Sequence, residues 1–179
     1  LIYRSEAEYL LSPERKHQIA GIYLEFAGQY FKPPKQDQKP DYAKALEFYQ
    51  KALEVGPKPD TRAQVELLVA QCHQELKQFD QAIPLYEKFI QNHPDSPLDV
   101  EARYRLGESQ LAAGQPKPAR RTWQDLLARY ADSKEERIAE AAYKLSRTWG
   151  IPPGAAERNK QQDQAANQAA QQQVEQQAI

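Results

Sequence analysis

The stretch Ala82-Ile83-Pro84-Leu85-Tyr86-Glu87-Lys88-Phe89-Ile90-Gln91-Asn92-His93-Pro94 decides the fold, because it recurs. Ala82 has counterparts 37 residues before and after it, Ala45 and Ala119, and each is followed four residues on by a large ring: Tyr49, Tyr86, Trp123. The same interval joins Ala52 to Phe89 to Leu126, Leu53 to Ile90 to Leu127, and Pro57 to Pro94, and it lapses at Ala131. Self-similarity at a period of roughly 20 to 50 residues marks an array whose units bury their apolar faces only against their neighbours. Such arrays present surface rather than chemistry.

The flanking residues supply the helices. Ser12 as N-cap and Pro13 behind it predict a helix to Phe31, with Ile19, Ile22, Tyr23, Phe26 and Tyr30 at spacings of three and four. The prolines of residues 32–40 cannot continue it and predict an exposed loop. Further helices are expected over 41–55, 61–76, 80–92, 96–113, 116–130 and 133–149. Pro84 is read as lying in a first turn, where no backbone donor is lost, and Ser133 with Glu136 reads as a capping box. These make seven array helices, with room for one more ahead of Ser12. Residues 1–150 are thus expected to form the repeat domain. Beyond Gly154 the composition turns to Gln and Ala, so residues 151–179 are expected to be a linker or tail: disordered, an isolated fraying helix, or a helix docked on a neighbour.

Composition removes several classes of function. Twenty-four basic against 25 acidic residues give a formal charge of −1, without the excess positive charge of a nucleic-acid binder. No run approaches the roughly 20 apolar residues that cross a bilayer, so no membrane insertion is expected of this segment. The chain lacks methionine and begins within what reads as a helix, so its native N-terminus is expected upstream. Cys72 is alone among apolar neighbours, one turn from Leu68 and Val69, and reads as a buried structural thiol. His17, His73 and His93 fall in different units without the spacing of a zinc helix, so no metal is expected. Ser109 lies within a helix and lacks a nucleophile elbow, there is no glycine-rich phosphate loop, and Glu135, Glu136 and Glu140 crowd a helix start. No catalytic residue, cofactor or enzymatic activity is expected.

With small residues in helix A (Val69-Ala70, Leu106-Gly107), the A-x3-aromatic pattern in helix B and the later proline, residues 13 to 150 resemble tetratricopeptide repeats. In the first unit the small helix-A site aligns near Ile19-Ala20. The resemblance implies an all-α, right-handed α-solenoid of three helix-turn-helix units plus a trailing helix. The linker through His93-Pro94-Asp95-Ser96, followed by Ala102-x-Tyr104-x-Leu106-Gly107, is similar to repeats of bacterial envelope proteins, namely the barrel-assembly lipoprotein and the Tol-Pal coordinator. It is similar more faintly to repeat modules of large bacterial alpha-2-macroglobulin-like proteins. Both imply a periplasmic or envelope setting, with the cytoplasm as the alternative.

By the family's register, stacked A helices form a concave groove lined by Gln64, Leu67, Gln71 and Gln74, then Tyr104, Arg105, Glu108 and Leu111, then Tyr143, Lys144 and Arg147. The resemblance implies a non-catalytic scaffold that binds a protein or peptide there. Tyr and Arg are favoured interface anchors, and the Tyr104–Arg147 end reads as aromatic and basic, suited to an acidic or carboxylate-terminated ligand. Leu67 and Gln71 depart from the Lys and Asn of the carboxylate-clamp subfamily. The alternative is a structural spacer or oligomerisation element without a groove ligand.

Overall fold

The computed structural model describes residues 12–35 and 37–149. These form seven helices, with no strand among the described residues: α1 (Pro13–Phe31), α2 (Tyr42–Val55), α3 (Pro59–Glu75), α4 (Phe79–Asn92), α5 (Asp99–Ala112), α6 (Pro116–Arg129) and α7 (Glu136–Thr148). Each helix packs on the next, and α3 with α5 and α5 with α7 touch across the array, as an α-solenoid of helical hairpins requires. The expected Gln/Ala tail and the additional helix ahead of Ser12 lie outside the described residues.

Local chemistry sets the starts of the helices. The Ser12 hydroxyl accepts the Arg15 N–H at 3.2 Å and the Asp41 carboxylate accepts the Lys44 N–H at 3.0 Å, each satisfying a donor that has no helical partner. Proline opens α1, α3 and α6. The proline-rich loop between α1 and α2 is pinched at its base by the Asp41 N–H donating to the Tyr30 carbonyl at 2.9 Å.

Three sequence expectations change. Pro84 is the sixth residue of α4, not a first-turn residue, because the helix begins at Phe79. Its ring points outward and the helix continues to Asn92, leaving the Asp80 carbonyl without a proline donor. The Ser133–Glu136 capping box does not form: α7 begins at Glu136 behind Glu135, and the Ser133 hydroxyl instead accepts the Glu135 N–H at 3.3 Å. The small helix-A residue of the first unit is Ala27 rather than Ala20, since Ala27 shares a core with Ala45 and Tyr49. The reason is length: α1 has 19 residues against 14 in α5, and the surplus lies at its N-terminal end.

The core is three clusters in series. Ala27, Ala45 and Tyr49 pack with Val65, Val69 and Cys72 of α3; Leu67, Ala70, Ala82, Tyr86 and Phe89 pack with Ala102 and Leu106 of α5; Val100, Tyr104, Ala119, Trp123 and Leu126 pack with Ile138 and Ala141 of α7. Each hairpin therefore closes only when the next helix A covers it. Within a hairpin the small residue scales inversely with the ring. Ala27 and Ala70 share cores with Tyr49 and Tyr86, but Gly107 lies under the larger Trp123. A Cβ on Gly107 would stand 2.7 Å from Trp123 Cδ1 and closer still to Nε1 and Cε2, inside the ring's van der Waals envelope. The indole is fully buried and its N–H donates to the Tyr104 carbonyl at 3.2 Å.

Gly107→Ala should therefore lower the unfolding free energy by about 2 kcal/mol despite alanine's better helix propensity, because overpacking outweighs it. In urea denaturation, Gly107→Ala/Trp123→Phe should recover most of that loss. Phe is chosen over Tyr because the Tyr86 hydroxyl needs the Gln74 acceptor at 2.6 Å, and Leu111 stands at the matching place.

The turns show the same comparison between units. Lys77 carries φ 60° where Gly114, 37 residues on, carries φ 76°. A side chain in the left-handed region costs about 1 kcal/mol. Lys77→Gly should raise the urea midpoint by the equivalent of about 0.5–1 kcal/mol.

Candidate partner-binding surface

The structure gives the expected residues of α3, α5 and α7 different tasks. Gln64 is exposed, and Gln74 accepts from the Tyr86 hydroxyl. Leu67, 3% exposed, belongs to the core beside Ala70 and Tyr86 rather than to the open face, and Gln71 is also buried. Leu111 is half-buried against the α5–α7 cluster. At the far end Tyr143 is 61% exposed, and Arg147 donates to its hydroxyl at 2.9 Å.

Tyr104 is the centre of the surface. It is buried, its hydroxyl donates to Glu108 at 3.2 Å, and its ring carries the Arg137 guanidinium at 4.9 Å and the Lys144 ammonium at 5.6 Å. Around it runs a ladder of alternating charge. Glu75 of α3 lies 3.7 Å from Arg105, which is bonded to Glu101; Arg137 of α7 bonds Glu101 at 2.7 Å and Glu140 at 2.6 Å; Lys144 bonds Glu108. The expected basic end is thus a mixed-charge face, because Arg105 and Lys144 each hold a carboxylate of the protein itself. A carboxylate ligand would have to displace Glu101 or Glu108.

Sequence reasoning missed Glu101, Arg137 and Glu140 as members of this surface. Glu101–Arg105 at i,i+4 and Arg137–Glu140 at i,i+3 were visible as helix pairs. The cross-helix bonds, Glu101 to Arg137 and Glu108 to Lys144, each span 36 residues, one short of the repeat, so the period itself concealed them.

The titration behaviour follows from this geometry. Burial, then the adjacent Glu108, raises the Tyr104 phenol above its ordinary value. Hydrogen bonding from Arg137 lowers Glu140. Cys72 is fully buried, and desolvation, then Glu75, pushes its thiol up to about 12, which keeps it protonated and unreactive. The three histidines make separate contacts: His17 Nδ1 donates to the Gly56 carbonyl at 3.0 Å, His73 meets Gln78 at 2.7 Å, and His93 meets Glu66 at 2.9 Å. Among the described residues no three metal-ligating side chains converge.

A cleft of about 460 Å³ lies between His17, Gln18, Gly21 and Leu24 of α1 and Lys58 and Thr61 at the start of α3. Gln64 stands one turn beyond Thr61.

A lowered pKa in the folded state means that ionised Glu140 stabilises the fold above the ordinary value of 4.5, and that this contribution disappears as pH falls through the lowered value. The urea midpoint, followed by tryptophan fluorescence from neutral pH downward, should decline in that acid range. Glu140→Gln should flatten the decline.

A tetratricopeptide repeat family model matches residues 74–143, the segment from the end of α3 to α7. No curated protein matches the chain in sequence. Among solved structures, the tetratricopeptide domain of Arabidopsis OM64 superposes with a TM-score of 0.56 at 19% identity, covering 74% of this chain and 98% of that one. Nearly identical tetratricopeptide-like repeats of a putative kinesin light chain from Podosopora anserina give 0.51 at 14% identity, covering 98% of this chain and 94% of that one. At such identities the likeness is one of fold.

Proposed function

We propose that this chain is a non-catalytic interaction module that holds an extended or helical segment of a protein partner along the inner faces of α3, α5 and α7. Tetratricopeptide repeats generally mediate protein–protein interaction, and the matched model covers residues 74–143, which include the whole of α5 and the first half of α7. The observation that carries the reading is the Tyr104-centred ladder. Ion pairs between helices fix α5 against α7 before any ligand arrives, so a partner meets a preorganised surface and pays little ordering entropy.

The contact set is Gln64 and Gln74, Arg105, Glu108 and Leu111, and Tyr143, Lys144 and Arg147, with Leu67, Gln71 and Tyr104 supporting from beneath. Because the charges alternate, the favoured ligand is a segment carrying both signs rather than an acidic tail. The exposed anchor is Tyr143 with Arg147, at the rim of the ladder. The module comprises residues up to about 150, with 151–179 serving as a tail. The resemblance of the linker around Pro94 supports a bacterial envelope setting.

A peptide array of extended and helical segments, probed with the wild-type chain and with Tyr143→Ala/Arg147→Ala, tests this reading. Neither residue is buried, so the melting temperature should hold while bound signal falls at least tenfold, as expected for the loss of one interface anchor. Undiminished binding by the variant would refute groove recognition.

A further inference from the structure

At the cleft between α1 and the start of α3 the array departs from its own repeat. Taking Ala27, Ala70 and Gly107 as equivalent, Gly21 of α1 stands where α3 has Gln64 and α5 has Glu101, and Glu101 reaches across to Arg137 of α7. On the other wall Thr61 stands 37 residues before Leu98, which packs against the core cluster that contains Leu67 and Tyr86. Both walls of the first junction thus carry a smaller residue than the second, and a space of about 460 Å³ is left between them. That is the size of a ligand pocket, about 300–1,000 Å³, rather than of a packing defect.

No packing within the chain accounts for Gly21. A Cβ there would meet nothing within 4 Å, and glycine inside a helix is less stable than alanine, so the fold alone favours a side chain at this position. What the glycine preserves is open backbone on the wall of the cleft, with Leu24 and Pro57 beside it. Elsewhere in the array a helix-A glycine, Gly107, seats the Trp123 indole, whose N–H goes to the Tyr104 carbonyl at 3.2 Å. The cleft holds an acceptor for a ring of the same kind. His17 lines it, and its Nδ1 lies 3.0 Å from the Gly56 carbonyl, which can only accept. Nδ1 therefore carries the proton, and Nε2 of the neutral ring offers a lone pair that has no partner among the described residues. Glu14 of α1 and Lys58 at the start of α3 flank the cleft with opposite charges, neither in an ion pair among the described residues.

We propose that this cleft seats an aromatic side chain that carries a hydrogen-bond donor, a tryptophan or tyrosine of the protein partner, with its ring against the Gly21 backbone and its N–H or O–H donated to His17 Nε2. Glycine permits a close approach that any side chain would deny, and Leu24 and Pro57 supply apolar contact for the ring. Glu14 and Lys58 meet charges of both signs beside the ring, which agrees with a partner segment of alternating charge. Aromatic residues with a polar tip are favoured interface anchors. Assigning the ring to a protein partner rests on the interaction reading above, whereas the seat itself does not. Gln64, one turn beyond Thr61, joins the seat to the proposed contact set.

Fluorine NMR of 5-fluoroindole titrated with the 179-residue chain tests the seat, because the probe reports binding without interference from Trp123 or Trp149. The line should broaden and shift saturably. Gly21→Ala should weaken binding roughly fivefold while raising the melting temperature by about 3 °C, since the new methyl group intrudes on the cleft and on nothing in the fold. Gly28→Ala is the control: its Cβ also meets nothing within 4 Å and it does not line the cleft, so it should raise the melting temperature alike and leave the affinity unchanged. The probe 5-fluoro-1-methylindole, which has no N–H to donate, should bind roughly threefold more weakly. Absence of saturable binding, equal affinity of the wild-type and Gly21→Ala chains, or equal affinity for the methylated probe would each overturn the proposal. Saturable indole binding beside a peptide array without signal would overturn the assignment of the ring to a protein partner and leave the seat standing.

Discussion

Everything in this array rests on how closely two helices of a hairpin can approach. A small residue on helix A lets the backbone come near enough for a helix-B ring to lie flat across it, and the ring then fills the space that the next helix A will close. Gly107 under Trp123 is the extreme case, because the indole occupies the volume that a Cβ would need. The glycine costs about 1 kcal/mol of helix propensity, while the fully buried tryptophan supplies several times that in packing. Where the ring is smaller, at Tyr49 and Tyr86, alanine suffices. The repeat therefore keeps summed volume at the contact constant rather than any one residue type.

The second constraint is electrostatic and acts between units. Helices α5 and α7 are joined by carboxylate–base bonds on both sides of Tyr104, and Asp99 adds another tie at the start of α5. Its carboxylate is fully buried and accepts from Arg103 and from the Tyr130 hydroxyl, each at 2.7 Å, while Arg129 reaches the Pro94 carbonyl at 2.9 Å. A buried carboxylate is tolerable only with such partners. Together these bonds close the third unit and fix how α7 sits on it. The face that α5 and α7 present is accordingly rigid and alternates in charge.

Much of the fold could be read from the residues, because it depends on local signals and on volume. The interval from Ala45 to Ala82 to Ala119, the Ser12 and Asp41 caps, and the proline loop all act over a few residues, and each helix lies within a few residues of its expected limits. The errors also have local causes. Pro84 sits deeper in α4 than expected because the helix starts at Phe79, and the first unit was misaligned because the extra turns of α1 precede Ala27 instead of following it. The surface was less legible. A sequence shows that Arg105 and Lys144 are basic but not that Glu101 and Glu108 neutralise them, since those pairings depend on the offset between neighbouring helices. The family's register alone puts Leu67 on the open face, whereas its side chain packs in the core beside Ala70 and Tyr86.

The pinched base of the proline-rich loop separates it mechanically from the array. Because the Asp41 N–H closes on the Tyr30 carbonyl, the ends of the loop are held in place whatever lies between them. Lengthening a flexible loop costs only about 0.6 kcal/mol per doubling. This segment can therefore vary in length and composition at almost no cost to the helices on either side, which makes it the natural place for the chain to acquire a new recognition element, or for a reporter to be grafted without disturbing the stack.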